Sequence, residues 1–232
     1  AGLAKKSVEW ASVNWKESTD AGSLPLDQNI IAYWRFQEGS GIKAYDSSGR
    51  GNDANLTNFA CTSLDCNPSS GWISAGKKGK GIVFDGSNDA VVLTTGGLIG
   101  TGVLTACAWI YPESWGGGSN GMILNNGKFQ FYIQNNSNRL NITSNSANYL
   151  NANQAITNFS VWYFACVTRN DLNIAQIYVN AQLFSSGNAG GPVAGTTPLF
   201  IGNQSALNRA FDGIIDEVMV WDTNLSANDI NI

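Results

Sequence analysis

Histidine is missing from this 232-residue sequence altogether. Its absence excludes Ser-His-Asp and Cys-His catalysis, and with them any histidine-ligated zinc, iron or copper site. Charge is scarce as well: 13% of residues are Asp, Glu, Lys or Arg, and the net charge is −4. There is no long basic run and no Lys/Arg-rich helix, so nucleic acid is not an expected partner. No apolar run approaches the roughly 20 residues that a membrane-spanning helix requires. Glutamate occurs only at Glu9, Glu17, Glu38, Glu113 and Glu217. Glycoside hydrolysis needs two carboxylates roughly 5–10 Å apart, and none of these lies one strand pleat from another acid on an unmistakable strand. The expectation is a protein without catalytic activity.

Asparagine makes up about one residue in eight, and there are 26 glycines. Both serve turns and left-handed backbone positions. Short apolar runs recur at Ile30–Phe36, Gly81–Phe84, Ala90–Leu93, Val103–Tyr111, Gly121–Leu124, Lys128–Gln134, Arg139–Thr143, Val161–Thr168, Ile174–Asn180, Leu199–Gly202 and Ile214–Trp221. Asn125-Asn126-Gly127 between two such runs is a hairpin signal. Helical pattern is nearly absent, apart from one turn expected over Leu225–Ile230 with Ser226 as its cap. Many short strands joined by Gly/Asn loops predict an all-β sandwich of two antiparallel sheets over residues 29–232. Residues 1–28 read differently. Val8/Trp10 and Val13/Trp15 form two short strand-like pairs before a linker, and they predict an extended arm that docks on its own domain or on a neighbour.

Four cysteines remain: Cys61, Cys66, Cys107 and Cys166. None has Cys-x-x-Cys spacing, so zinc and thioredoxin motifs are not supported. Cys61 and Cys66 share a polar loop suited to a local disulfide. Cys107 and Cys166 lie in apolar strands, where buried free thiols are the alternative to a bridge. An even count favours two disulfides and an oxidising, extracellular compartment.

The segment Gly213-Ile-Ile-Asp-Glu-Val-Met-Val-Trp-Asp222 carries an acidic pair inside an apolar strand. Strand alternation predicts that Asp216 and Glu217 point to opposite faces, at least one of them buried. A buried carboxylate must be paired, hydrogen-bonded or bound to a cation.

Seven segments in order resemble the LamG-like (laminin G-like) jelly-roll domains of the concanavalin A-like lectin and glucanase superfamily. They are Tyr33-Trp-Arg-Phe-Gln-Glu-Gly-Ser-Gly41, Asp46-Ser-Ser-Gly-Arg-Gly-Asn-Asp53, Gly81-Ile-Val-Phe-Asp-Gly-Ser-Asn-Asp89, Leu104-Thr-Ala-Cys-Ala-Trp109, Trp162-Tyr-Phe-Ala-Cys-Val-Thr168, Ile177-Tyr-Val-Asn180 and the closing Gly213–Trp221 strand. The cysteines look closest to those of pentraxins, and this likeness implies a Cys107–Cys166 bridge. The chain also departs from the family, with Gln37-Glu38 for the usual Asp-Glu and Asn180-Ala181 for the usual Asn-Gly. The loop Gly202–Ala210 lacks the carboxylates of the pentraxin calcium pair, so the pentraxin phosphate-ester site is not carried over. The Glu-x-Asp-x-x-Glu strand of the superfamily's glucanases is absent too.

The resemblance implies one structural calcium ion, held by Asp46, Asn52 and Asp216 and completed by backbone carbonyls. In the alternative, Asp46 forms an Asx turn and Asp216 accepts N–H groups from that same loop. Asp85 and Asp89 read as turn formers. For a glycan, the candidate platforms are Trp115, on a glycine-rich loop, and Tyr149, among asparagines; alternatively Trp115 folds back over a sheet edge. Six Asn-x-Ser/Thr sequons, at Asn55, Asn135, Asn141, Asn158, Asn203 and Asn224, permit glycosylation without arguing for it. The sequence thus reads as a secreted or cell-surface module that binds glycans or surface proteins. The competing reading is a subunit of an extracellular filament or surface assembly, paired with its neighbour through residues 1–28.

Overall fold

The computed structural model describes residues 29–65, 70–93, 98–99, 102–144, 148–191 and 194–230. The expected arm (residues 1–28) and Cys66 lie outside them. The described chain is a sandwich of two antiparallel sheets. The first runs in the order β14 (Gln182–Asn188), β13 (Ile174–Val179), β12 (Tyr163–Arg169), β7 (Leu104–Pro112), β16 (Asp212–Trp221), β5 (Gly81–Asp85) and β4 (Gly71–Ile73), with β1 (Ile30–Trp34) also on β16. The second runs β11 (Asn148–Ala152), β10 (Arg139–Ser144), β9 (Phe129–Gln134), β8 (Met122–Asn125), β15 (Phe200–Ile201), β6 (Ala90–Leu93), β3 (Ala54–Thr57) and β2 (Lys43–Ala44).

Between the sheets lies a core in which Ala106, Ala108, Ile110, Val167 and Val220 of the first sheet face Leu124, Phe131, Ile133, Leu140 and Ile142 of the second. Strand alternation then sends the intervening residues to the two outer faces. The outer face of the first sheet is apolar. Tyr33, Cys107, Phe164, Cys166, Tyr178, Met219 and Trp221 cluster there, covered by Leu225 and Ile230 of the C-terminal turn. That turn is capped as expected: Ser226 Oγ accepts the Asp229 N–H at 3.4 Å, Asp229 Oδ2 accepts the Ser226 N–H and hydroxyl in return, and the Ile230 N–H donates to the Ser226 carbonyl. Cys107 and Cys166 are cross-strand neighbours on β7 and β12 and form a disulfide, with Cα atoms 4.1 Å apart. In the chain-entropy model a loop of this length is worth about 4 kcal/mol. Cys61 is also disulfide-bonded.

The eleven runs read from the sequence all carry a strand. Five further strands are short or polar: β2, β3, β4, β11 and β14. Four of these are the outermost strands of the two sheets, where one flank faces solvent and the apolar alternation weakens. The Asn125–Gly127 hairpin joins β8 to β9. Asn126 Oδ1 accepts from the Phe129 N–H, and Gly127 sits at φ +86°.

The β13–β14 hairpin turns on Asn180 and Ala181, at φ +50° and +64°. Both positions call for positive φ, which alanine adopts at a cost of roughly 1–2 kcal/mol. Ala181→Gly is therefore expected to raise the unfolding free energy by a net of about 0.5–1 kcal/mol, after the extra unfolded-state freedom of glycine. The check is a urea titration. A lowered or unchanged midpoint would mean that the turn holds no recoverable strain.

Candidate functional site

Two polar clusters stand out, one on each sheet. The first surrounds Asp216 and Glu217. The ladder between β16 and β7 pairs Asp216 with Trp109 and Met219 with Cys107, so residues 217 and 218 together oppose Ala108. This is a β-bulge, with Glu217 at φ +50°. The extra residue breaks the alternation. Ile215 and Val218 both face the core, while Asp216 and Glu217 both fall on the outer side, which corrects the expectation of opposite faces. Asp216 accepts the Lys78 N–H at 2.9 Å on Oδ2 and the Glu217 N–H at 2.8 Å on Oδ1. Glu217 accepts the Tyr33 hydroxyl on Oε2, and its Oε1 lies 4.0 Å from Arg35 Nε. Burial pushes Glu217 above the usual carboxylate range and Asp216 up to about 7. The same burial, with the Glu217 charge, pushes the Tyr33 phenol well up.

Asp46 stands apart from this pair. Its Oδ1 accepts N–H groups of Tyr33 and Ser48, and its Oδ2 accepts the Ser48 hydroxyl and the Asn52 N–H. Asn52 in turn donates to the Ile31 carbonyl, and its own carbonyl accepts from Trp34 Nε1. These donors hold the Asp46 carboxyl below its ordinary value, against a burial effect that would raise it. The loop is thus an Asx-type clasp on β1, whereas Asp216 clasps the residue 77–78 loop instead. Of the three residues expected to share a calcium ion, Asp46 and Asn52 thus lie in one loop and Asp216 contacts another; the two carboxylates accept N–H and O–H groups, while the Asn52 amide donates to the Ile31 carbonyl. Among the described residues no three His, Cys, Asp or Glu side chains gather in metal-binding reach.

The second cluster lies on the outer face of the second sheet. Two rungs cross β9, β10 and β11 in register, Tyr132–Asn141–Asn151 and Gln130–Thr143–Tyr149, and Gln134–Arg139 joins β9 to β10. Except for the fully buried Asn141, these residues line a groove of about 500 Å³ with Asn120, Asn136 and Arg209. Tyr149 is 57% exposed at its rim. Asn120 Oδ1 accepts from Gln134 Nε2 at 2.8 Å. Arg209 is placed by Asn203, whose fully buried side chain accepts the Arg209 and Gln204 N–H groups and donates to the Asp89 carbonyl. That loop leaves β15 at Gly202, at φ +78°, where a Cβ would lie 2.1 Å from the Phe84 ring.

Of the two expected aromatic platforms, only Tyr149 lines the groove. Trp115 is half-buried, packs against the core and meets Phe159 edge-on at 5.0 Å. Its glycine loop lies against the 208–210 backbone, with a Cβ on Gly116 falling 2.3 Å from the Ala210 carbonyl oxygen. Trp34, Trp72 and Trp221 are buried, whereas Trp109 lies half-buried under the Lys77 ammonium, 4.2 Å from its ring centroid. The groove residues Gln130, Gln134, Arg139, Asn151 and Arg209 carry no sequence motif. For those on β9 and β10 the signal is the alternation of Phe129-Gln-Phe-Tyr-Ile-Gln134 and Arg139-Leu-Asn-Ile-Thr143, which places the polar residues of each strand on one face.

The fold and both clusters now stand beside known proteins. The family model Laminin_G_3, of the concanavalin A-like lectin/glucanases superfamily, matches residues 85–231, more than half of the chain. The chain belongs to this superfamily. No curated protein matches this lectin-like domain in sequence. Among solved structures it resembles domain 4 of AbnA, a GH43 extracellular arabinanase from Geobacillus stearothermophilus, in complex with arabinotriose. The TM-score is 0.66 at 16% identity, covering 88% of this chain and 97% of that one. It also resembles the binding domain of Paraclostridial Mosquitocidal Protein 1, with a TM-score of 0.64 and 14% identity over 89% of this chain and 52% of that one. Botulinum neurotoxin type C, whose cell entry depends on interaction with two ganglioside molecules, gives a TM-score of 0.56 at 15% identity over 88% and 50%. The lectin-like domain thus spans about half the length of these two toxin chains. At such identities the likeness is one of fold.

Two measurements test this description. Since Asp46 and Asp216 are engaged by donors, excess EDTA and millimolar calcium are each expected to leave the melting temperature unchanged. A rise of about 5 °C or more with calcium would mean that a cation does bind the folded state. The second test concerns pH. Asp216 is raised in the folded state, so between about pH 4 and pH 7 the folded chain binds more protons than the unfolded one. Its contribution is full below the unfolded value and is lost as pH rises through the folded one. Unfolding free energy is expected to be about 2–4 kcal/mol larger at pH 5 than at pH 8, and Asp216→Asn is expected to flatten that difference. An equal slope in the variant would assign the effect elsewhere.

Proposed function

We propose that this domain is a non-catalytic, extracellular glycan-binding module, and that the groove on β9, β10 and β11 is its site. The observation that carries this reading is the row of amides, Gln130, Gln134, Asn120, Asn136 and Asn151, beside an exposed Tyr149 ring. Amides donate and accept at once and so match sugar hydroxyls, while a flat aromatic takes the C–H face of a pyranose or furanose ring. A shallow, polar cleft suits a hydrated ligand better than an apolar one. Support comes from the superfamily and from structures of this fold whose bound or required partners are an arabinotriose and gangliosides. The extracellular assignment is supported by the Cys107–Cys166 disulfide.

The same geometry argues against hydrolysis. Among the described residues no carboxylate lines the groove, and Asp216 and Glu217 belong to the other sheet, where they accept hydrogen bonds from the chain itself. Glycoside cleavage by the usual route needs two carboxylates flanking one bond.

The test is a glycan microarray followed by titration of the best saccharide against wild type and Tyr149→Ala. The expected result is saccharide binding that weakens at least about tenfold in the variant, roughly 1.4 kcal/mol, at an unchanged melting temperature. Absence of any bound saccharide, or equal affinity in the variant, would remove this reading.

A further inference from the structure

The charges in the groove run against those of the whole chain. The protein carries 17 acidic and 13 basic side chains, with a net charge of −4. Yet among the described residues the charged side chains lining the groove are Arg139 and Arg209. Among the described residues, the ion pairs are Arg35–Glu217 and Lys43–Asp53, so neither groove arginine is neutralised by a carboxylate. Both line the groove together with Tyr132 of the middle rung.

Hydrogen-bonding capacity is also left unspent there. Arg139 Nε is buried without a partner. Asn141, fully buried between Tyr132 and Asn151 on the middle rung, has neither Nδ2 nor Oδ1 bonded. Buried polar groups are bonded in the great majority of cases, so an unpartnered amide and guanidinium nitrogen side by side in one face need a reason. Placement adds to this. Arg139 opens β10 in register with Gln134, and Arg209 is fixed from the opposite side through Asn203 and through its own carbonyl, which accepts the Met122 N–H at 3.0 Å. Two arginines whose backbones are fixed by a sheet and a clamped loop, with no counter-charge among the described residues, can form a receptor for an oxyanion.

We infer that the groove selects acidic saccharides, with a carboxylate or sulfate ester of the sugar seated between Arg139 and Arg209 while Tyr149 stacks on a neighbouring ring. This rests on the glycan-binding reading above and names its ligand class. The amides contact hydroxyls, and the arginines supply the discrimination between charged and neutral sugars.

The experiment compares lactose, sialyllactose and 3′-sulfolactose by titration against the full chain, at low and at physiological salt. Wild type is expected to bind at least one of the two acidic ligands tenfold or more tighter than lactose, with a preference that shrinks as salt rises. Preference for sialyllactose assigns the carboxylate, and preference for sulfolactose the sulfate ester. In Arg139→Gln and Arg209→Gln, with melting temperatures within about 2 °C of wild type, the acidic-to-neutral ratio is expected to fall toward one. Equal affinity for lactose and both acidic ligands would overturn the acidic preference and leave the glycan reading standing. A preference that survives both substitutions would overturn the assignment to these arginines. Failure of all three ligands to bind, in a protein whose microarray is also blank, would overturn both readings.

Discussion

The architecture depends on one strand that serves three partners. Along one edge β16 pairs with β7 over nearly its whole length. Its other edge is divided: β5 pairs with residues 212–215 and β1 with residues 218–221. Where one partner stops and the next begins, the ladder has a gap, and the bulge at Asp216 and Glu217 falls in it. A gap in a buried ladder leaves N–H groups without carbonyls, at roughly 1–3 kcal/mol each. Asp216 meets that need by accepting the Lys78 and Glu217 N–H groups. Glu217 binds the Tyr33 hydroxyl from β1. The acidic pair therefore substitutes for a missing strand, and the raised proton affinity of Asp216 is the cost of placing it there.

This arrangement separates scaffold from site. The outer face of the first sheet is committed to stability, with its disulfide, its aromatic cluster and the C-terminal turn that covers them. Asp46 ties the Tyr33 end of β1 into the same unit. The outer face of the second sheet is polar and carries the groove. Side chains that project from three paired strands are positioned by the sheet itself, which lowers the ordering cost of the binding proposed for this groove. Two of the six sequons fall inside this framework. Asn141 and Asn203 are fully buried, so a glycan on either is incompatible with the folded chain. Asn135, Asn158 and Asn224 are exposed.

How much of this the sequence displayed depended on burial. Strands with both flanks paired, such as β7, β12 and β16, read clearly as apolar runs, because both of their faces are buried. Strand β14, exposed along most of its length, has no such run and went unread. The acidic pair was recognisable as anomalous, but its geometry was not. A bulge is decided by which strands share an edge, and that is a property of topology rather than of local pattern. Trp115 shows the same limit: a tryptophan on a glycine loop is ambiguous until the packing of that loop against residues 208–210 is known. Tyr149 was legible because it has no core to fill.

The groove itself was written in the alternation of β9 and β10, yet polar residues on one face of a strand ordinarily mean only that the face is wet. What bears on this face is the state of its polar atoms rather than its composition: Arg139, Asn141 and Thr143 all hold buried side-chain atoms without a hydrogen-bond partner. A solvated face satisfies its amides with water, whereas Asn141 is shut away from solvent with its amide unbonded. A leucine in that position would complete the packing without a desolvation penalty of about 1–3 kcal/mol. A sandwich of this size, with a continuous core and a cross-strand disulfide, tolerates such a cost at one rung. Local sequence rules break where a surface is shaped for something other than stability, and the binding proposed for this face gives its middle rung that reason.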